Sequence, residues 1–140
     1  MTQNSVPGSA MDVVGRLFAA LSSHDLDTAR QLVAPDVAYH LLNFVPSHQR
    51  TWHGVDDFIG LETSIDAATD HTYTSTVVAQ YPAGDELVIV HGATAASFAG
   101  RSCEGMNWVI VARVIGGVVV QMVDTAETAL DEFWRPARTS

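Results

Sequence analysis

The side chains of this sequence that could move protons are few, and the clearest is a carboxylate. Asp124 ends a run of strand-forming residues, and strand alternation places Val120 and Met122 on its face. A carboxylate beside Val and Met is poorly solvated, which raises its pKa and makes proton transfer near neutral pH feasible. The alternative is an exposed aspartate that caps the helix at Glu127.

Tyr39 and His91 are the next candidates for chemistry. The phenol of Tyr39 can donate a hydrogen bond to a substrate oxygen or orient a carboxylate, and a core tyrosine with its hydroxyl at the rim is the alternative. Histidine is the residue type that most often moves protons near neutral pH, and His91 could pair with Asp124 across a cavity. The strand register, however, points Gly92 and Thr94 inward and leaves His91 on the outer face. We retain Asp124, Tyr39 and His91 as the predicted catalytic set.

An apolar wall accompanies these groups in the sequence. Met106, Trp108 and Ile110 alternate along one predicted strand and therefore share a face. A wall of Met and Trp suits a flat, apolar ligand, with ordinary core packing as the alternative interpretation. The predicted substrate-binding residues are Trp108, Met106, Met122, Thr94 and Leu41.

Several other classes of site are excluded by pattern and charge. No Ser-His-Asp order, phosphate loop or dinucleotide fingerprint occurs, and the 6 histidines and 1 cysteine show no metal-ligand spacing. We therefore expect no metal and no cofactor. The formal net charge of −9 argues against nucleic acid as a partner. The absence of a signal-like start and of a membrane-length apolar run predicts a cytoplasmic location without membrane attachment.

The segments that must position these residues follow a simple order. Residues 1–8 are predicted as a disordered leader, and residues 9–140 as one domain. Ser9 and Asp25 can cap two helices, Pro35 stops the second, and a third helix begins near Val55. The predicted strands cover residues 37–44, 72–81, 86–98, 106–115 and 118–124, and a short final helix covers 127–134.

This order resembles the nuclear-transport-factor-2-like (NTF2-like) superfamily. The segments that carry the resemblance are residues 23–27, 32–37, 52–58 and 114–124. Within the superfamily the chain is most similar to the polyketide-cyclase-like (SnoaL-like) and limonene-epoxide-hydrolase-like branch. The resemblance implies an α+β fold, in which a cone-shaped, curved antiparallel sheet packs on three N-terminal helices. It also implies a ligand site inside the cone.

The resemblance also assigns roles to individual residues. Asp124 matches a pocket carboxylate that acts as acid or base, and Tyr39 matches a tyrosine that helps to hold the reacting water. Leu41 stands where the epoxide hydrolases have an asparagine, and Gly92 and Thr94 stand where they have Arg and Asp. A single aspartate cannot act as both acid and base in one step, which argues against epoxide hydrolysis in that form. His91 resembles the strand histidine of scytalone dehydratases.

The sequence therefore predicts an enzyme that performs cofactor-free acid–base chemistry on a terpenoid-, steroid- or polyketide-like molecule. Isomerisation, cyclisation, dehydration and hydrolysis all stay open. The alternative is a non-catalytic ligand-binding or dimerisation module, which predicts an exposed or salt-bridged Asp124 and a pocket filled by its own side chains. A homodimer is expected through the outer face of the meander, assigned to Val109, Val111, Val119 and Val123.

Overall fold

The computed structural model describes residues 9–42 and 51–135. The predicted leader lies outside these residues. These residues form four helices, α1 (Ala10–Ser22), α2 (Leu26–Leu32), α3 (Val55–Ala68) and α4 (Thr128–Trp134). Ser9 caps α1 by accepting a hydrogen bond from the Asp12 amide, and Asp25 caps α2 through the Thr28 amide, as the sequence predicts.

In the described part of the chain six strands form one curved sheet in the order β2-β1-β6-β5-β4-β3. The strands are β1 (Val33–Leu41), β2 (Thr51–His53), β3 (Thr74–Ala83), β4 (Leu87–Phe98), β5 (Arg101–Ile115) and β6 (Val118–Ala126). The meander from β3 to β6 is antiparallel throughout. The α+β fold with a curved sheet confirms the class predicted from the sequence.

The prediction of a wholly antiparallel sheet is wrong at one seam, because β1 pairs with β6 in the parallel direction. The chain passes through α3 to the far edge of the sheet, and the meander returns so that its last strand lies beside the first. A short strand, β2, was also missed. The strand β5 begins at Arg101, since the turn after β4 takes only Ala99 and Gly100.

An extra residue in β6 changes which valines face the core. Arg113 pairs with Gln121 and Val114 pairs with Val119, so that Val120 is the residue left over between the two pairs. Such a bulge reverses the alternation on one side of it. Val119 is consequently buried, although the sequence assigned it to the outer face. The bulge also interrupts the alternation that was expected to place Val120 and Met122 on one face.

The buried side chains lie mainly between the helices and the inner face of the sheet. The first helix contributes Val13, Val14 and Leu17, and α3 contributes Phe58 and Leu61. Register shifts in four strand pairs accompany the curvature of the sheet. The helices do not fill the whole concave side, and a cavity is left beside the core.

Candidate active site

A cavity of about 480 Å³ lies between the concave face of the sheet and the helices. Its wall is contributed by α1, α2, α3, α4 and by strands β1, β3, β4, β5 and β6. The apolar lining residues include Phe18, Leu41, Phe58, Leu61, Trp108, Ile110, Met122, Leu130 and Trp134. This is the size and character of a pocket for a small organic molecule.

Asp124 and Tyr39 meet in this cavity. Tyr39 lies on β1 and Asp124 near the end of β6. In the parallel register Tyr39 pairs with Met122, which is two positions before Asp124 and therefore on the same face of β6. The Tyr39 hydroxyl donates a hydrogen bond to Oδ2 of Asp124. Burial raises the pKa of Asp124 to about 7, against the opposing effect of this hydrogen bond. The rise in the pKa of Asp124 expected from the sequence is confirmed.

Tyr39 itself is a rigidly held donor. Its ring is buried between Trp52, at 5.8 Å between ring centroids, and Phe58, at 5.7 Å. Burial, and then the charge of Asp124, raises the pKa of Tyr39 well above its ordinary value. The phenol therefore stays protonated and keeps donating to Asp124 throughout the neutral range.

A second carboxyl group, Glu62, lies in the same cavity and was missed from the sequence. Burial, together with the charge of Asp124, raises the pKa of Glu62 to about 7. Within the described residues no cation counteracts the rise in either pKa. A signal was available, because Glu62 follows Phe58 by four residues and precedes Ile65 by three. That spacing places it on the face of α3 that the sequence predicts as buried.

The two carboxyl groups form one coupled acid–base system. The first ionisation favours Asp124, since the hydrogen bond from Tyr39 stabilises the charged form of that residue. The resulting negative charge then opposes the ionisation of Glu62. Between the two ionisations the cavity accordingly holds one carboxylate, on Asp124, and one carboxylic acid, on Glu62. A base and an acid are thus available together.

The aromatic wall is shaped by a glycine. Trp108 stacks on Phe18, with ring centroids 5.6 Å apart, and lies directly over Gly92 of the neighbouring strand. A Cβ atom at position 92 would lie 2.0 Å from Cζ2 of the indole, which no packed structure tolerates. Gly92 therefore makes room for the Trp108 ring. The ring in turn forms part of the cavity wall.

Four of the five predicted binding residues line the cavity: Trp108, Met122, Thr94 and Leu41. Met106 does not line it, although it alternates with Trp108, because the cavity ends before that part of β5. The β4–β5 pairing also shifts just beyond the Thr94–Met106 pair, which distorts the sheet there. Met106 is instead packed at the edge of the core.

The structure separates His91 from the other two predicted catalytic residues. Its Nε2 lies 2.8 Å from Oδ1 of Asn107 on the adjacent strand, and His91 does not line the cavity. Strand alternation is the reason, since Val90 and Gly92 on either side of it are buried on the inner face. The pairing of His91 with Asp124 considered above is therefore wrong, and the register that points Thr94 inward is confirmed.

Two other histidines stand at the cavity rim. His24 follows α1 and His71 follows α3, both with left-handed backbone, at φ 60° and 62°. His71 Nδ1 lies 2.5 Å from Oδ2 of Asp66, and this hydrogen bond raises the pKa of the exposed imidazole. His24 is exposed and contributes to the rim.

Within residues 9–42 and 51–135 there is no cluster of three or more His, Cys, Asp or Glu side chains that could hold a metal ion. In the same part of the chain no helix is long and apolar enough to cross a membrane.

Comparison with known proteins identifies the fold family independently. The family model described as a SnoaL-like domain matches residues 14–122. No curated protein compared with the chain matches it. Among solved structures, Bal32a from a soil-derived mobile gene cassette has a TM-score of 0.83 at 21% identity, covering 90% of this chain and 96% of that one.

Two further solved structures resemble the chain. IdmH, a proposed polyketide cyclase of Streptomyces antibioticus, has a TM-score of 0.71 at 23% identity, covering 88% of this chain and 95% of IdmH. A Catenulispora acidiphila protein with a ketosteroid isomerase-like fold, in complex with trimethylamine, has a TM-score of 0.67 at 18% identity, covering 80% of this chain and 82% of that one. At these identities the likeness establishes the fold.

Proposed function

Because the chain belongs to the SnoaL-like family, we propose that it is a cofactor-free enzyme that moves protons on an apolar, oxygenated small molecule. Terpenoid-, steroid- and polyketide-like molecules fit the apolar lining and the cavity of about 480 Å³. The fold alone does not carry this proposal, since one scaffold serves many functions. The residues inside the cavity carry it.

The observation that supports the proposal most directly is the pair of carboxyl groups with pKa values of about 7 in one cavity. A general base or acid works best when its pKa lies near the working pH. Carboxyls in a cavity whose pKa is shifted by burial and by a neighbouring charge also concentrate at functional sites. The sequence suggested one carboxyl group, and the second removes the objection that a lone aspartate cannot serve as both acid and base.

Enolisation followed by reprotonation is the reaction that we propose. The Asp124 carboxylate takes a proton from a carbon next to a substrate carbonyl, and the electron pair of that C–H bond moves towards the carbonyl oxygen. The Glu62 carboxylic acid then gives its proton to a different atom of the enolate. The substrate has then lost and gained one proton, which is an isomerisation, or a cyclisation where the enolate carbon first attacks a second carbonyl. Proton exchange between the two carboxyls restores the starting state.

The non-catalytic alternative makes two structural predictions that are not met. It predicts an exposed or salt-bridged Asp124, whereas Asp124 accepts a hydrogen bond from Tyr39 at the wall of the cavity. It also predicts a pocket filled by its own side chains, whereas the cavity is open. These two observations favour the enzyme over the binding module.

A hydrogen–deuterium exchange assay tests the proposed function before any natural substrate is known. The protein is incubated in D2O with a panel of bicyclic and tricyclic ketones, and the loss of the proton signal next to the carbonyl is followed by NMR. We expect exchange above the buffer rate with the wild type, and its loss in Asp124→Asn. Equal rates for wild type and Asp124→Asn with every ketone would contradict the proposal, provided that both proteins are folded.

A further inference from the structure

Two histidines at the mouth of the cavity occupy backbone positions that glycine usually fills. The helix α1 ends in a Schellman motif, in which a left-handed residue just past the helix lets two amides bond back to the last turn. His24 is this residue, at φ 60°. Its amide donates to the Leu21 carbonyl, and the amide of Asp25 donates to the Ala20 carbonyl. Glycine would take this conformation without the steric cost that a side chain adds.

The end of α3 repeats this motif with two left-handed residues. Asp70 and His71 have φ values of 54° and 62°. Their amides donate to the carbonyls of Ala67 and Asp66. The side chain of His71 adds a second bond to the same turn, since its Nδ1 lies 2.5 Å from Oδ2 of Asp66. The backbone and the Asp66 carboxylate therefore hold the imidazole of His71 in place.

Both histidines line the cavity, although they follow different helices. The Ser22 hydroxyl donates to the Ser75 carbonyl at 2.7 Å, which fixes the end of α1 against the start of β3, four residues after His71. Both histidines are also exposed to solvent, so they lie at the mouth of the cavity. Helix capping alone does not call for histidine at these positions, because glycine fits the left-handed conformation better.

The ring nitrogens of these histidines are available to a ligand. An ionised carboxylate can only accept, so the Nδ1 atom that bonds to Asp66 carries a hydrogen, and Nε2 of His71 is left for another partner. Within the described residues neither this Nε2 nor the ring of His24 has a hydrogen-bond partner. Each ring can therefore bond to a polar group that enters the mouth.

The charges around the mouth favour a neutral group. Asp66 and Asp131 line the cavity, and Asp70 directly precedes His71 in the chain. These carboxylates offset positive charge on the two imidazoles, so the mouth does not attract an anion. A hydroxyl group is uncharged, and it can donate to a bare ring nitrogen or accept from one that carries a hydrogen.

We propose that His24 and His71 form a second subsite, at the mouth of the cavity, that binds a hydroxyl group of the ligand. This inference rests on the proposed function, and it narrows the substrate class to apolar ring systems that carry a hydroxyl group besides the carbonyl next to the reacting carbon. The hydroxyl group bonds to Nε2 of His71, and His24 supplies the second ring. The apolar body of the ligand extends into the cavity that holds Asp124 and Glu62.

The test uses two ketones that differ by one hydroxyl group, 2-acetylnaphthalene and 6-acetyl-2-naphthol. Their affinities are measured by isothermal titration calorimetry in weakly acidic buffer, where the naphthol keeps its proton. We expect the wild type to bind the naphthol about 3- to 10-fold more tightly, the contribution of one hydrogen bond. In His71→Gly this preference should shrink to less than about twofold, and the affinity for 2-acetylnaphthalene should stay within about twofold of the wild-type value.

Glycine variants separate this role from a structural one. Because glycine suits a φ near 60°, His71→Gly and His24→Gly should unfold at temperatures close to that of the wild type. His24→Gly should also reduce the preference for the naphthol. The matched control is Ala99, which is left-handed as well, at φ 52°, but lies in the β4–β5 turn and does not line the cavity. Ala99→Gly should leave the affinities for both probes unchanged.

The outcomes keep this inference apart from the proposed enzyme. Equal affinities of the two probes for the folded wild type, or a preference that survives in His71→Gly, would overturn the subsite and leave the deuterium-exchange result standing. A preference that disappears equally in Ala99→Gly would also overturn it. Loss of the preference in the two histidine variants alone would support the subsite, even if the wild type showed no deuterium exchange and the enzyme proposal failed.

Discussion

The two faces of the sheet differ in what their polar residues can do. On the inner face Asp124 lies in a cavity, where its pKa rises to about 7 and its hydrogen-bond donor is a buried tyrosine. On the outer face His91 lies only a few strands away, paired with Asn107. Both residues are of types that catalyse proton transfer. The face on which each one lies, and not its intrinsic chemistry, makes Asp124 the candidate for catalysis.

Replacing the Asp124 carboxylate on the inner face should have the largest effect on the rate. Asp124→Asn keeps the shape of the side chain and removes the base, so that the exchange or turnover rate should fall by a factor on the order of 10² to 10⁴. The matched outer-face change is His91→Gln, which can keep a bond to Asn107 and should leave the rate within about twofold. A comparable loss in both variants would abolish the distinction between the faces.

Removing the second carboxyl should change the shape of the pH profile as well as the rate. The wild-type rate should be bell-shaped, because Asp124 must be ionised and Glu62 protonated. In Glu62→Gln the fall on the alkaline side should disappear, and the maximum rate should drop by a factor on the order of 10 to 10². The pKa of Asp124 should stay close to its wild-type value, because burial and the Tyr39 hydrogen bond set it and Asp124 ionises before Glu62. An NMR titration of the Asp124 carboxyl carbon measures that pKa.

Filling the space above Gly92 should distort the inner face without touching the carboxyls. In Gly92→Ala the new methyl group must displace the Trp108 ring, and we expect a loss of about 1–3 kcal/mol in the free energy of unfolding. Urea denaturation measures this loss. Probe binding, followed by the fluorescence of the probe itself, should weaken in the same variant, as it should in Trp108→Ala. The control Ala93→Ser lies on the opposite face and should be nearly neutral.

The inner carboxyls also predict how stability depends on pH. Their pKa values are higher in the folded state than in the unfolded chain, so the folded protein binds more protons, and stability falls as the pH rises from about 4 to about 7. Glu62→Gln should remove part of this decline and be more stable than the wild type at pH 8, by roughly 1–3 kcal/mol.

Glu127 provides a control for that experiment, because its pKa is lowered in the folded state and its effect on the pH dependence of stability has the opposite sign. It is exposed, and hydrogen bonds from the backbone and side chain of Asn107 lower its pKa. Its contribution to stability is present above its unfolded pKa and is lost as the pH falls through the lower folded value. Glu127→Gln should therefore weaken the protein at neutral pH and converge with the wild type in acid. If Glu62→Gln and Glu127→Gln changed the stability above neutral pH in the same direction, the assigned pKa shifts would be contradicted.

A substitution on the outer face should have the smallest effect on the stability of the single chain. Tyr81, Ile89 and Val111 occupy paired positions on β3, β4 and β5 and are all exposed, in line with the predicted dimer through this face. We expect light scattering at micromolar concentration to give a dimer for the wild type, and a monomer for Ile89→Lys. The stability of that monomer should change by less than about 0.5 kcal/mol. A wild type that stays monomeric would refute the dimer.

Residue alternation accounts for what could be predicted on the strands. Side chains two positions apart share a face, so the sequence alone placed Trp108 and Thr94 inward and pointed His91 outward. The same rule failed at Val119, because the bulge at Val120 shifts the register and no local signal marks it. The prediction for Met106 was wrong for another reason. Sharing a face with Trp108 does not specify how far along β5 the cavity extends.

The sequence by itself determined the family, the order of most elements and the first carboxyl, because capping, periodicity and turn chemistry are local properties of the chain. Only the tertiary structure decided that Glu62 shares a cavity with Asp124. The two residues come from elements far apart in sequence, and they meet because α3 crosses the concave side of a sheet whose curvature leaves a cavity. Burial of both carboxyls, and the charge of Asp124 acting on Glu62, arise only there and turn two ordinary carboxyls into a coupled acid and base.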